Sequence, residues 1–205
     1  MKTYLLTLAY DGTHYHGWQR QKGIVSVQEC LETALASLVG APVPVTASGR
    51  TDEGVHAVGQ AVSFSCETSV PAQKFAAALN AKLPPDIRAL SCRETADGFC
   101  ARRAAKRKTY AYRFYLSPHV LPHIDGYALR VDSPLDTKAL AAACSSVKGT
   151  HDFVCFQCLG SSAKTTVRTV YDCTFTSYPA QGLTPITYEF RICGNGFLYK
   201  MVRLM

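Results

Sequence analysis

Four side chains able to do chemistry, Arg50, Asp52, Glu53 and His56, fall within seven consecutive positions around Gly49 and Gly54. A carboxylate can serve as a covalent nucleophile, and a histidine can carry protons near neutral pH. A guanidinium offers forked donors to a carboxylate or a phosphate. The glycines let the backbone turn tightly or approach a ligand without a Cβ penalty. Asp52 and Glu53 are neighbours. In an extended segment they would point apart, which argues against a two-carboxylate glycosidase. On spacing alone, a charged hairpin turn is the plainer reading.

The flanks decide how this segment is held. Residues 43–46 are short and β-branched, and over residues 58–66 Val62, Phe64 and Cys66 alternate with Ser63 and Ser65. Both flanks predict strands, so the charged residues sit in a loop between strands, where catalytic groups are often carried. Residues 4–10 form a nearly continuous apolar run and predict a buried strand ended by Asp11-Gly12. Residues 13–21 form a polar-aromatic loop holding His14, Tyr15, His16, Trp18, Gln19 and Arg20. Rings that stack on bases and an arginine that takes phosphates suit RNA. Ser26 and Glu29 make a capping box opening a helix over residues 27–39, stopped by Gly40. A second helix is expected over 71–82 and a strand over 87–94. Strand, helix, strand, strand, helix, strand argues an α+β layer with helices packed on a sheet.

The strongest shift in composition follows: Arg102, Arg103, Lys106, Arg107 and Lys108 bring five cations to seven residues with no acid. Such a run is usually a solvated face, yet between two structured halves it is the natural phosphate track of the chain. It is taken as the hinge, with an N-terminal α+β subdomain over 1–101 and a C-terminal one over 102–205. Beyond it, Tyr110, Tyr112, Phe114 and Leu116 alternate onto one face of a strand. An alanine-rich helix is expected over 136–148, strands over 167–175 and 186–193, and an apolar helix start after Gly196.

The chain has 205 residues, 47% hydrophobic and 18% charged, an ordinary globular balance able to bury a sizeable core. A formal charge of +7 favours an anionic partner, nucleic acid first and an anionic membrane surface second. No apolar run approaches the roughly 18 residues of a membrane span, and no signal-peptide pattern opens the chain. Nine irregularly spaced cysteines then suggest reduced thiols in the cytoplasm. Cys155-x-x-Cys158 with His151 upstream is a lone pair, a weak zinc signal.

Gly49-Arg50-Thr51-Asp52-x-Gly54-Val55-His56-Ala57 resembles the signature of the tRNA pseudouridine synthases that modify positions 38 to 40 of the anticodon arm, the TruA type. Further resemblance lies in Tyr10-Asp11-Gly12, Gly17-Trp18-Gln19, Lys108-x-Tyr110-x-Tyr112, and Asn195-x-Phe197 followed by Met201-Val202-Arg203. It implies the α+β pseudouridine synthase fold, two subdomains with mainly antiparallel sheets flanked by helices and a central cleft, and a homodimer. It implies Asp52 as nucleophile, Arg203 as its salt-bridge partner and Tyr110 over the target uracil. Arg50, His56, Trp18, Gln19 and the basic residues Arg102, Lys106, Arg107 and Lys108 become candidates for contact with tRNA. The reaction is an isomerisation, so no cofactor and no metal is expected. Relatives typically run on past Met-Val-Arg, so the second subdomain is expected to be shortened at its C-terminus.

Overall fold

The computed structural model describes residues 1–160 and 163–205. β1 (Lys2–Tyr10) turns Tyr4, Leu6, Leu8 and Tyr10 to one buried face. The helix that covers this face, α1 (Val27–Val39), starts where its sequence demands. Ser26 Oγ accepts the Glu29 N–H, and Gly40 closes the other end at φ 82° with its N–H on the Ala36 carbonyl. Val27, Leu31, Ala34 and Leu35 are the buried stripe of α1. β2 (Val45–Ala47), β3 (Ala57–Cys66), α2 (Ala72–Asn80) and β4 (Ile87–Thr95) follow. The four strands lie in the order β2-β3-β1-β4 with every neighbouring pair antiparallel. This βαββαβ order is the ferredoxin-like arrangement. Phe75 of α2 closes the core against Tyr4 and Phe64, with ring centroids 5.0 and 5.6 Å away. Asn80 ends α2 by exchanging two hydrogen bonds with the Ala89 backbone, which ties the helix to β4.

The chain forms two compact units, Met1–Ala105 and Lys106–Met205, parted later than the expected break after residue 101. The reason is a short helix, α3 (Ala101–Ala104). Ala101 is buried and gives its N–H to Ser63 Oγ at 3.0 Å, which fastens the helix to β3. The boundary falls within the basic run: Arg102 and Arg103 belong to the first unit, and Lys106, Arg107 and Lys108 to the second.

The second unit holds β5 (Lys108–Leu116), α4 (Pro122–Asp125), β6 (Leu129–Val131), α5 (Thr137–Ser146), β7 (Gly149–Asp152), β8 (Val167–Tyr178), β9 (Thr187–Gly194) and α6 (Met201–Leu204). Its sheet runs β6-β5-β9-β8-β7, antiparallel except for β5 with β6. The fold is α+β with mainly antiparallel sheets flanked by helices. Asp136 caps α5 by accepting the N–H groups of Lys138 and Ala139. Cys144, Phe153, Val170, Cys173, Ile192, Leu198 and Met201 form the core of this unit.

β5 departs from its expected one-sided pattern. Tyr112 is half exposed, whereas Tyr115 on the other face is fully buried. Tyr115 donates its hydroxyl to Asp125 Oδ1 at 2.9 Å and accepts the Leu121 N–H at 3.2 Å. The excursion from residue 117 to 131 folds back over this ring, an event that alternation along β5 cannot announce.

Candidate active site

The loop from Ser48 to His56 leaves β2 and returns into β3. Its base is closed by the Ser48 N–H on the Ala61 carbonyl and by the Gln60 amide on the Gly49 carbonyl. At its tip the Val55 N–H meets the Asp52 carbonyl at 3.2 Å, and Gly54 takes φ 74°. Arg50 and Glu53 are exposed, and Asp52 is half-buried between them in sequence.

A second segment, residues 10–18, braces this loop along its backbone. The Trp18 N–H bonds the Thr51 carbonyl at 3.0 Å, and the Gly54 N–H bonds the Tyr15 carbonyl at 3.3 Å. Tyr10 and Thr51 join their hydroxyls at 2.9 Å. Two glycines permit the approach. A Cβ on Gly12 would overlap the Val55 carbonyl oxygen, and one on Gly17 would stand 2.6 Å from that of Thr51. Gly17 also adopts φ 83°, which side-chain-bearing residues rarely tolerate. His56 completes the brace. Its Nδ1 is 3.1 Å from the Gly12 nitrogen, whose N–H points at it, and 3.0 Å from Asp11 Oδ1.

Trp18 is one of the residues expected to contact RNA. Its ring is 2% exposed and lies 6.2 Å from the Tyr10 ring, within the core of the first unit. What Trp18 gives the Asp52 loop is its backbone N–H, on the Thr51 carbonyl. Gln19 gives its amide to Gln28 at 2.8 Å, and His14 remains exposed. Tyr15 is buried and donates to Asp86 at 2.6 Å; burial, with that carboxylate, raises its phenol above the ordinary range.

In the second unit Tyr110 lies near the start of β5 opposite Ile192, its ring edge-on to Phe197 at 5.2 Å. Phe197 leads into α6, which exposes Arg203 while Met201 is fully buried. Tyr110 and the segment carrying Arg203 thus pack on one hydrophobic cluster. Lys200, just before α6, holds φ 58°, the one left-handed non-glycine residue among those described. Arg102, Arg103, Lys106 and Arg107 are exposed and Lys108 half-buried. Arg107 also lies over the Tyr171 ring, 5.7 Å from its centroid.

The family model described as tRNA pseudouridine synthase matches residues 7–102 and 143–205. The chain is similar along its whole length to curated relatives called tRNA pseudouridine synthase A. Identity is 40% to that of Thermoanaerobacter sp. strain X514 over 205 residues, covering 100% of this chain and 82% of the relative. The relative from Ruminiclostridium cellulolyticum is 39% identical over 210 residues, and that from Geobacter sulfurreducens 40% over 205, with the same shares covered. The chain belongs to the tRNA pseudouridine synthase family. Membership makes it an isomerase of uridine in tRNA.

For a member of the tRNA pseudouridine synthase family, the matched stretches contain Asp52 and Arg203, while Tyr110 lies between them. Sequence reasoning passed over Tyr10, Thr51 and Gly12 as parts of the site. Tyr10 and Gly12 stood within a quoted motif, but the motif does not say what they touch. Cys155 is exposed and Cys158 gives its N–H to the Tyr199 carbonyl. Among the described residues, no three His, Cys, Asp or Glu side chains gather as a set that could hold a metal. Among them too, no helix is long and apolar enough to cross a membrane.

Proposed function

We propose that the chain converts uridine to pseudouridine at positions 38, 39 or 40 in the anticodon stem-loop of tRNA, with Asp52 as the nucleophile. The net change is an exchange of bonds on one ribose: N1–C1′ breaks, C5–C1′ forms, C5 loses a proton and N1 gains one. A carboxylate beside the sugar can assist either by addition at C6 or by displacement at C1′. The observation that carries this assignment is the bracing of the Asp52 loop, pinned on both sides of the carboxylate by residues 10–18. A nucleophile on a fixed backbone meets its target without an ordering step.

In this reading Arg203 is the guanidinium partner of the Asp52 carboxylate, offering forked donors to its two oxygens. Tyr110 holds the uracil while it rotates. A uridine in a stem is extruded first, at a cost of a few kcal/mol of unstacking. Arg50, Arg102, Lys106, Arg107 and Lys108 take phosphates, and Gln19 sits at the edge of the RNA surface. The active species is a homodimer, measurable by light scattering.

Replacing Asp52 with Asn tests the reading. The amide is near-isosteric but not nucleophilic, so tRNA binding should stay within a few-fold while pseudouridine vanishes from the product by mass spectrometry. Turnover close to that of the unaltered enzyme would remove Asp52 from the role.

A further inference from the structure

The histidine of the loop invites an acid–base or RNA-binding role, but its contacts lead elsewhere. Nδ1 of His56 faces the Asp11–Gly12 turn, 3.1 Å from the Gly12 nitrogen and 3.0 Å from Asp11 Oδ1. That turn is itself fixed, because Asp11 Oδ1 also accepts the N–H and the hydroxyl of Thr13. With the proton on Nε2, the lone pair of Nδ1 accepts the Gly12 N–H. With a proton on Nδ1, the same atom donates to the Asp11 carboxylate. In either form the nitrogen is engaged by the turn.

The backbone beside it is equally close: the Val55 carbonyl occupies the space a Gly12 side chain would need. At the other end Thr51 is bonded through its carbonyl to Trp18 and through its hydroxyl to Tyr10. Asp52 therefore lies between two anchored points, Thr51 on one side and Val55–His56 on the other. We infer that His56 is a positioning residue, whose Nδ1 locks the Asp52 loop to the Asp11–Gly12 turn and so sets the carboxylate's place. The inference rests on Asp52 as the nucleophile. Misplacement of a reacting group by about 1 Å can cost on the order of 100-fold in rate, which is the scale this lock controls.

The test compares three variants. His56→Asn puts an amide where Nδ1 stood. His56→Gln carries its amide out towards Nε2 and leaves the turn unbridged. His56→Ala removes both. Single-turnover rates on a tRNA transcript should fall roughly 10- to 100-fold in the Gln and Ala variants and recover to within several-fold of the parent in Asn. The dissociation constant for tRNA should stay within a few-fold in all three. The chain has one tryptophan, Trp18, whose backbone bonds Thr51, so its fluorescence reports the brace without reference to turnover. Acrylamide quenching should rise in Gln and Ala and remain low in Asn.

Unchanged rate and quenching in His56→Gln overturn the lock. Loss confined to tRNA affinity makes His56 an RNA contact instead. A limb of the pH–rate profile that disappears in Asn as well as Gln makes it an acid–base group. If the Ala variant does not fold, the Asn and Gln pair decides. Should quenching follow the lock while Asp52→Asn stays active, the nucleophile assignment fails and the positioning of the loop stands.

Discussion

The phenol of Tyr10 and the hydroxyl of Thr51 meet at 2.9 Å, joining the last residue of β1 to the residue before Asp52. Tyr10→Phe keeps the ring and deletes the bond. A stability loss of about 1 kcal/mol is expected, with a slower single turnover and unchanged tRNA affinity. Thermal melts and single-turnover assays check it. A variant as fast as its parent would mean that the Thr51 carbonyl bond suffices alone.

The close approach of residues 12 and 17 to the loop gives a steric prediction. Gly12→Ala and Gly17→Ala should each destabilise by about 1–3 kcal/mol or displace the loop and slow catalysis. Gly59→Ala is the control, since a Cβ there meets nothing within 4 Å. Denaturant melts should leave Gly59→Ala at or above the parent. An equally mild Gly17→Ala would contradict the packing.

Glu189 makes stability depend on pH. It is 8% exposed, and its carboxylate faces Arg113 at 3.1 Å and Arg191 at 2.9 Å. Burial pushes its carboxyl up, but the bonds from Arg191 and Arg113 outweigh this and hold it below the usual value of 4.5. A depressed folded value means stability that is present above the unfolded value and lost as pH falls through the folded one. Glu189→Gln should therefore cost on the order of 1–2 kcal/mol at pH 7 and nothing once the pH is well below 4. Melts of both proteins across that range would show it, and a gap that persists in acid would refute it.

Neutralising Arg102 and Arg103 should weaken tRNA binding and shallow its salt dependence by about one unit of slope for each phosphate no longer neutralised. Binding isotherms at several salt concentrations measure this. Because α3 is fastened through Ser63, the pair is held in place, and Ser63→Ala should weaken binding without removing a charge. An unaltered slope in the double variant would show that these arginines face away from the RNA.

Local signals made part of this fold legible and tertiary ones concealed the rest. α1 was readable to the residue because its capping box and Gly40 are written in sequence and its ends depend on nothing else. α3 and α4 have four residues each, too few to show a period, and the three-residue β6 forms only by pairing with β5, whereas α6 lies in the apolar stretch expected to open a helix after Gly196. His151 and Asp152 pair with Arg168 and Val167 of β8, a partnership set by distant residues that no local pattern announces. Asp52 was conspicuous as a charged residue between glycines. Its brace was not, because nothing in Gly12 or Gly17 names the carbonyl each must admit.

The free thiols act as clocks distributed over the chain. Burial drives the Cys92 thiol to about 12 and raises Cys66 in the first unit, and burial beside Cys144 raises Cys173 in the second. Only a thiolate alkylates, so each of these sites waits for its surroundings to open. Cys155 is exposed, and the Arg103 and Arg102 N–H groups lower the Cys100 thiol, so these two set the fast end of the scale. Timed alkylation followed by peptide mass spectrometry would then record how often Met1–Ala105 and Lys106–Met205 each breathe, in one tube and without an added label.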